Sequence, residues 1–312
     1  MTEDKKILQK PFLKWVGGKT QIITQIIKYL PTKINNYHEI FLGGGSVLLA
    51  VLSLRQQKQI EITGNIYASD LNPHLINLYQ HLQSNKDELF SYIDDYRNMY
   101  DSLSGNIVNR QPKNLTEAQT SKESYYYWVR NLFNQRPQTK SPIELSAIFL
   151  FLNKTCFRGL YREGPNGFNV PYGHYKKTPQ IMTHDELDTI SYLIQDVIFQ
   201  SISFTESLTQ HFQEGDFVYL DPPYVPEKEK SFVEYHINGF SLDNHKQLFQ
   251  LTQQLSPTIS FLMNNAKVDL VLDNFKDKQR YRIEELIARR AINSKNPAAL
   301  TKEVIITNLK NL

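Results

Sequence analysis

The segment that most constrains the fold of this chain is 217–224, which reads FVYLDPPY. Its four apolar and aromatic residues predict a buried strand. The strand has to end at Asp221, because the two prolines that follow cannot donate to a sheet ladder. In an open α/β sheet, ligands bind in the crevice outside the carboxyl ends of the strands. We therefore predict that Asp221 and Tyr224 lie at a ligand site.

The groups carried by this segment suit a flat heterocycle with an exocyclic amino group. The carboxylate of Asp221 and the carbonyl of Pro222 can each accept one amino hydrogen, and the Tyr224 ring can stack on the face of a base. A strand that simply ends in a proline turn would carry the same residues. Other parts of the chain have to decide between these two interpretations.

Composition matters mainly for what it excludes. The 312 residues are 40% hydrophobic and 21% charged, as is usual for a globular protein. No apolar run approaches the roughly 18 residues of a membrane span, and the amino terminus lacks a signal-peptide core, so we expect a cytoplasmic protein without a membrane partner. The single cysteine, Cys156, excludes an internal disulfide and is expected to be a buried structural thiol. The scattered histidines form no metal-ligand pattern, and we expect no metal.

Two glycine-containing segments precede the Asp221 strand. The first, GGKT at 17–20, is not a P-loop, because Leu13 stands where that motif needs its first glycine. The second, GGGS at 43–46, lies between a predicted strand and an apolar helix, which predicts the first βα unit of a doubly wound sheet. A second short predicted strand ends at Asp70, where a carboxylate can accept hydrogen bonds from ribose hydroxyls. These residues are compatible with two interpretations, a site for an adenosine-type ligand or a solvated turn.

Strand patterns give way to helical ones between residues 73 and 181. We predict a helical insertion there, within a sheet domain formed by 1–72 and 182–312. A polar stretch at 102–124 is predicted to be a long exposed loop. Helices are predicted at 22–30, 75–82, 125–133, 143–152 and 242–255, and the later strands at 196–204, 217–220, 258–263 and 303–308.

The end of the insertion, residues 150–180, combines positive charge with aromatic side chains. It contains five basic residues and one acidic residue, whereas the whole chain has a net charge of only +3. Basic side chains suit phosphate contacts, aromatic rings suit base stacking, and arginine can recognise guanine. We predict a DNA-binding loop here in preference to an ordinary solvated one. Its aromatic residues are Phe157, Tyr161, Phe168, Tyr172 and Tyr175.

Six short motifs extend over nearly the whole chain. They are FLKWVGGK at 12–19, FLGGGS at 41–46, DLN at 70–72, GLYR at 159–162, FNVPYG at 168–173 and DPPY at 221–224. In identity and order they resemble the motifs of Dam-type DNA adenine methyltransferases of the alpha group. The resemblance implies an α/β fold, with a Rossmann-like sheet domain and an inserted, mainly helical DNA-recognition domain. It also implies S-adenosyl-L-methionine as methyl donor and double-stranded DNA as substrate.

The same resemblance assigns individual residues to sites. It implies that a flipped-out adenine donates its amino hydrogens to Asp221 and Pro222, so that its nitrogen can attack the sulfonium methyl group. The implied catalytic residues are Asp221, Pro222 and Tyr224. The implied cofactor-binding residues are Trp15, Lys19, Phe41, Gly43, Gly45, Ser46, Asp70, Phe204 and Asp221. The implied DNA-binding residues are Lys14, Phe157, Arg158, Leu160, Arg162, Pro171 and His174.

Two departures from the family pattern are visible. Ile40 stands where a proline usually precedes the phenylalanine, which is a minor change. Arg158 and His174 stand where enzymes that read GATC commonly carry Asn and Arg. These two residues favour another adenine-containing site, longer or asymmetric, over GATC.

The alternatives for function are a cytosine-N4 DNA methyltransferase, which typically has Ser in place of Asp221, and a non-catalytic DNA-binding module. We expect a monomer or weak dimer. The enzyme would belong to a restriction-modification system, with a separately acting cognate endonuclease, or would be an orphan modification enzyme.

Overall fold

The computed structural model describes residues 8–175, 177–226, 240–255, 258–289 and 300–309. In these ranges the strands are β1 (Lys33–Ile34), β2 (Tyr37–Ile40), β3 (Glu61–Ile62), β4 (Ile66–Ser69), β5 (Glu163–Gly164), β6 (Gly167–Phe168), β7 (Val197–Gln200), β8 (Phe217–Leu220), β9 (Ser260–Ala266), β10 (Arg282–Arg289) and β11 (Leu300–Thr307). The helices are α1 (Ile23–Ile26), α2 (Ser46–Gln56), α3 (Pro73–Ser84), α4 (Lys86–Ser102), α5 (Leu115–Ala118), α6 (Lys122–Gln135), α7 (Pro142–Thr155), α8 (His184–Leu193), α9 (Phe204–Leu208), α10 (Leu242–Gln254) and α11 (Asp269–Asn274).

The central sheet of the described residues has the strand order β10-β11-β9-β8-β2-β4-β7. The strands from β9 to β7 are parallel, and β11 runs antiparallel between β9 and β10. The chain winds outward from β2 in both directions, first to β4 and β7 and later to β8 and β9. This confirms the predicted α/β fold. It also puts a topological switch point, and therefore a ligand crevice, at the carboxyl ends of β2 and β8.

Strand β8 is buried on both faces, which explains its unbroken apolar sequence. Because successive side chains of a strand point to opposite faces, its residues divide between two hydrophobic cores. Phe217 and Tyr219 pack in the core that the sheet shares with the inserted helices, and Val218 and Leu220 pack in the core on the other face. This packing on both faces fixes the position of the carboxyl end of β8, which Asp221 follows.

Helix α7 is the centre of the insertion and is buried on nearly all sides. Ser141 caps it by accepting a hydrogen bond from the Glu144 backbone N–H, and Pro142 occupies its first turn. Helices α3, α4 and α6 surround it, as expected for a helix that is apolar all round. Helix α3 also contacts β7, so sheet and insertion share one core. The boundary at residue 73 stays a prediction.

Two predicted elements, the helix at 22–30 and the strand at 196–204, differ from those observed. The helix predicted at 22–30 is broken into 3₁₀ turns at Lys19–Gln21 and Ile27–Tyr29 around the single turn of α1. Four β-branched isoleucines and the lack of a capping side chain explain this. Strand β10 was not predicted at all.

The strand predicted at 196–204 ends at Gln200. Phe204 instead begins α9, because Ser203 and Glu206 form a capping box before it. The loop predicted at 102–124 is largely confirmed, with the one-turn helix α5 inside it.

A buried carboxylate joins the amino-terminal ends of β2 and β8. Asp216 is 1% exposed, and its Oδ1 accepts hydrogen bonds from the backbone and side-chain amides of Asn36, at 3.0 and 2.8 Å. Its Oδ2 accepts from the Gln213 backbone N–H at 2.9 Å and lies 3.3 Å from Nε2 of His38. These bonds secure the two central strands at the edge opposite the ligand crevice.

Replacing Asp216 by Ala should lower the free energy of unfolding by about 3 kcal/mol, because it leaves several buried donors without an acceptor. Urea denaturation measures the loss. Asp196→Ala is the control, since that carboxylate is 69% exposed and pairs with Arg55 at the surface. The control should unfold like the wild-type protein. An equal loss in both variants would contradict the role of Asp216.

Candidate active site

The carboxyl ends of the three central parallel strands bring the predicted site residues together. Ile40 of β2 is paired with Leu220 of β8 on one side and with Ser69 of β4 on the other. The next residue of each strand, Phe41, Asp221 and Asp70 respectively, therefore leaves the sheet at the same edge. The prediction that Asp221 ends a buried strand is confirmed.

Asp221 is paired with Lys19 inside the crevice. Lys19 Nζ lies 2.6 Å from Asp221 Oδ2, and the two side chains are 5% and 18% exposed. The backbone N–H of Lys19 donates to Ser46 Oγ at 3.0 Å, and its ammonium group also donates to the Gly17 carbonyl. The GGKT segment thus folds over the end of β8 and delivers a buried positive charge. A buried carboxylate needs such a partner to remain charged.

The second oxygen of Asp221 has no such partner. Burial raises the pKa of Asp221 to about 6, the Lys19 charge opposes this rise, and the Glu303 charge adds to it. Oδ1 is buried and has no hydrogen-bond partner in the described part of the chain. An unpaired buried acceptor costs free energy, so natural proteins rarely keep one without a reason. A ligand that donates a hydrogen bond would supply the partner.

Tyr224 is held beside this carboxylate. Its hydroxyl group donates to Glu303 Oε2 at 2.8 Å, and Lys19 Nζ lies 4.9 Å from the centre of its ring. The next backbone N–H, from Val225, donates to Asn265 Oδ1 at 3.1 Å. Burial raises the pKa of Tyr224 well above its ordinary value, so the phenol stays neutral. The segment after β8 is therefore anchored to both β9 and β11.

The glycine turn after β2 is held by Asp70. Asp70 Oδ2 accepts from the Gly43 backbone N–H at 2.9 Å, and Oδ1 accepts from the Asn72 backbone N–H at 2.9 Å. Gly43 and Gly45 have φ values of +50° and +68°, which disfavour any residue with a Cβ. The Trp15 indole packs so closely on Gly43 that a Cβ there would lie 2.9 Å from it. Asp70 therefore shapes this turn, and each of its oxygens keeps further lone pairs for a ligand.

Three phenylalanines form an aromatic cluster at the edge of the crevice. Phe41 and Phe204 are stacked with ring centroids 5.8 Å apart, and Phe240 lies edge-on to Phe41 at the same distance. Phe41 has a φ of +73°, an uncommon conformation for a bulky residue that points to a functional constraint. Phe240 was not predicted, because it precedes α10 far from the other motifs.

The residues predicted to bind DNA lie on and around the β5–β6 hairpin. Phe157 is 42% exposed, Arg158, Arg162 and Pro171 are exposed, and His174 is 66% exposed. Leu160 is half-buried. Lys14 differs from these residues, because its Nζ donates to the Tyr175 hydroxyl at 3.1 Å and lies over the ring of the same residue.

The aromatic residues of this loop require a correction. They were expected to stack on bases, but Phe168 and Tyr172 are 3% and 9% exposed and belong to the core. Tyr161 stacks on Trp15, with ring centroids 5.8 Å apart. Hydrophobic burial explains why aromatic side chains are so dense here. Cys156 is buried as predicted, and burial raises the pKa of its thiol to about 12.

Two buried polar residues were missed. Asn153, near the end of α7, accepts a hydrogen bond from the Lys14 backbone N–H at 3.0 Å and donates to the Lys14 carbonyl at 2.7 Å. Glu39 of β2 accepts from the Tyr37 hydroxyl at 2.6 Å, and burial raises its pKa to about 8. Glu39 lies in the strand that the sequence predicts before the glycine turn. A charged residue is unusual in a buried strand, and this is the sequence signal that could have identified Glu39.

Two negative observations apply to the described ranges only. No helix in them is long and apolar enough to cross a membrane. No three histidine, cysteine, aspartate or glutamate side chains come together there in a way that could hold a metal ion.

Comparison with known proteins identifies the family. The model of the D12 class N6 adenine-specific DNA methyltransferases matches residues 15–292. The type II methyltransferase M.MjaIII of Methanocaldococcus jannaschii is 34% identical over 92% of this chain and 93% of its own length. The type II methyltransferase M1.LlaDCHI of Lactococcus lactis subsp. cremoris is 31% identical over 100% and 99%. A DNA adenine methylase of Haemophilus influenzae is 32% identical over 95% and 92%. The chain therefore belongs to the D12 class N6 adenine-specific DNA methyltransferases, enzymes that methylate adenine in DNA.

Proposed function

We propose that the enzyme transfers a methyl group from S-adenosyl-L-methionine to N6 of an adenine flipped out of double-stranded DNA, with Asp221, Pro222 and Tyr224 at the catalytic centre. The observation that carries the proposal is the buried Oδ1 of Asp221, which lies next to Tyr224 and has no hydrogen-bond partner among the described residues. The family membership decides against the cytosine-N4 and non-catalytic alternatives.

The residues around the glycine turn fit the proposed methyl donor. Gly43 and Gly45 let a ligand approach the backbone closely, Asp70 has lone pairs available to hydroxyl groups, and Phe41 with Phe204 offers aromatic faces to an adenine ring. Lys19 and Ser46 are joined beneath this turn, and Trp15 packs against it. When bound, S-adenosyl-L-methionine supplies an electrophilic methyl group.

The protein's part in the reaction is to position the adenine amino group. Oδ1 of Asp221 accepts one amino hydrogen and the Pro222 carbonyl accepts the other, while Tyr224 stacks on the base. These bonds favour a nitrogen whose lone pair is no longer conjugated with the ring. Lys19 keeps Asp221 ionised near neutral pH, because its charge opposes the rise in pKa that burial causes. Extracting the base from the duplex costs a few kcal/mol, which binding has to supply.

The exposed hairpin supports the proposed recognition of DNA. Arg158 and Arg162 present guanidinium groups, and Arg162 is oriented by the bond from its Nε to Asn169 Oδ1 at 2.6 Å. An arginine can bind the O6 and N7 of guanine with two hydrogen bonds. Phe157, Leu160, Pro171, His174 and Lys14 complete the proposed surface. Sequencing methylated adenines in DNA from cells that express the enzyme decides whether it reads GATC or another site.

We further propose that the enzyme acts in the cytoplasm as a monomer or weak dimer. The type II names of two relatives support a restriction-modification system with a separately acting endonuclease as partner. Analytical ultracentrifugation with and without a target duplex measures the oligomeric state.

Replacing Asp221 by Ala should lower the single-turnover rate of methyl transfer by about 10²–10³, since it removes the acceptor that orients the amino group. Transfer of a labelled methyl group to a duplex containing the mapped site measures the rate. DNA affinity should remain close to wild type, whereas thermal stability should fall, because Lys19 is left as a buried charge without its partner. A variant that keeps more than a tenth of the wild-type rate would remove Asp221 from the catalytic centre.

Asp70→Ala should raise the concentration of S-adenosyl-L-methionine needed for half-maximal rate, because it removes both the anchor of the glycine turn and the acceptor for the ligand. The dependence of DNA affinity on salt should not change, since no phosphate contact is lost. Steady-state kinetics and fluorescence anisotropy at several salt concentrations test the two statements. If the DNA affinity of the variant depends less on salt than that of the wild type, Asp70 belongs to the DNA-binding residues instead.

Arg162→Ala should relax specificity at one base pair of the site, because a bidentate arginine–guanine contact contributes about 1–3 kcal/mol of discrimination. Methylation rates on duplexes with each single base-pair change measure it. Arg55→Ala is the matched control, as that arginine pairs with Asp196 on the surface of α2. Weaker binding to all duplexes alike would make Arg162 a phosphate contact instead.

A further inference from the structure

Glu303 reaches the catalytic centre from a strand that no motif had marked. It lies in β11, opposite Ala266 of β9 and Leu286 of β10, two strands away from β8. Its Oε2 accepts the hydrogen bond from the Tyr224 hydroxyl at 2.8 Å. Tyr224 is the only polar partner of this side chain within the part of the chain that the structure describes.

This bond fixes the position of the Tyr224 hydroxyl group and therefore the direction of the long axis of the ring. An aromatic side chain that lies at the edge of a crevice can rotate about its two side-chain torsions unless packing or a polar tip restrains it. Tyr224 has one restraint on its face, from Lys19 Nζ at 4.9 Å, and one at its tip, from the charged acceptor Glu303. Hydrogen bonds to ionised acceptors are shorter and stronger than those between neutral groups.

We propose that Glu303 is a positioning residue for methyl transfer: by fixing the hydroxyl end of Tyr224, it holds the ring at the place where it stacks on the flipped adenine. The inference rests on the proposed stacking role of Tyr224. It adds to the catalytic centre a residue from the far end of the chain, which acts through Tyr224 and does not itself contact the base.

Glu303 also contributes to the electrostatics of the crevice. The charged and titratable groups that face Asp221 are Lys19, Glu303, Glu39, Tyr219 and Tyr224. The negative charge of Glu303 raises the pKa of Asp221, whereas the positive charge of Lys19 lowers it. A neutral residue at 303 should therefore lower the pKa of Asp221.

The first experiment compares Glu303→Ala, Glu303→Gln, Tyr224→Phe and the double variant Tyr224→Phe/Glu303→Ala. Loss of the bond should lower kcat about 10- to 100-fold in Glu303→Ala, with little change in the KM for DNA or donor. Glutamine still accepts from the hydroxyl group, so Glu303→Gln should stay within about threefold of wild type. The double variant should fall no further than the worse single variant, because both substitutions remove the same bond.

The second experiment uses a duplex with the fluorescent base 2-aminopurine at the target position. Stacking on Tyr224 quenches a flipped 2-aminopurine, so Tyr224→Ala should raise its fluorescence. Glu303→Ala should also raise the 2-aminopurine fluorescence, even though this variant keeps the Tyr224 ring. A quenched signal and wild-type kcat in Glu303→Ala would overturn the positioning role.

The third measurement is the pH dependence of kcat. Methyl transfer needs ionised Asp221, so the rate falls as the pH drops through the pKa of that group. Because Glu303→Gln lowers this pKa, its acid limb should move to lower pH. Glu285→Gln removes the same charge from β10, where the carboxylate pairs with Lys267 near the surface, and should leave the limb in place. If the wild-type protein, Glu303→Gln and Glu285→Gln lose activity at the same acidic pH, the proposed effect of the Glu303 charge on Asp221 is wrong.

These outcomes are separable from failure of the proposed function. If Tyr224→Ala itself leaves kcat and 2-aminopurine fluorescence unchanged, the stacking role of Tyr224 is wrong. If Tyr224→Ala behaves as expected and Glu303→Ala behaves like wild type, only the positioning by Glu303 is wrong. Thermal denaturation of each variant identifies any loss that arises from unfolding.

Discussion

The buried ion pair between Lys19 and Asp221 is the interaction on which the organisation of the site depends. Asp221 directly follows the carboxyl end of a fully buried strand, where an unpaired carboxylate would take up a proton. Lys19, 2.6 Å away, supplies the compensating charge and carries the amino-terminal segment across the end of β8. Lys19 pairs with Oδ2, and Oδ1 has no hydrogen-bond partner among the described residues, so its lone pairs can accept from an amino group. One contact thus sets both the charge of the carboxylate and the direction of its free acceptor.

The two halves of the site come from opposite sides of the switch point. The glycine turn, Asp70 and Phe41 follow β2 and β4 and form the proposed donor side, whereas Tyr224 and Glu303 follow β8 and lie on β11. Asp221 stands between them because β8 pairs directly with β2. Because the sheet is parallel here, the proposed donor side and the proposed base side meet at the same carboxylate.

The β5–β6 hairpin is tied to the proposed donor side by packing and amide hydrogen bonds. Asn153 forms a reciprocal pair of hydrogen bonds with the backbone of Lys14, and Tyr161 stacks on Trp15, which in turn covers Gly43. The aromatic rings around the hairpin are used mainly for this attachment, whereas Phe157, Arg158 and Arg162 are at the surface. Shared packing of this kind joins the proposed DNA-recognition and donor surfaces, and a reaction that depends on positioning requires such a connection.

Local patterns in the sequence alone determined that Asp221 ends a buried strand, that glycines follow the first strand, and that Asp70 ends the next. Each depends on neighbouring residues, because prolines stop a ladder and alternating or apolar runs form strands. The tertiary structure decided which residues meet across long separations: Lys19 with Asp221, Asn153 with Lys14, and Glu303 with Tyr224. It also decided that Phe168 and Tyr172 are buried, since an aromatic residue suits a core and a DNA surface equally well in sequence. Long-range pairing depends on strand order and side-chain packing, which no local pattern encodes.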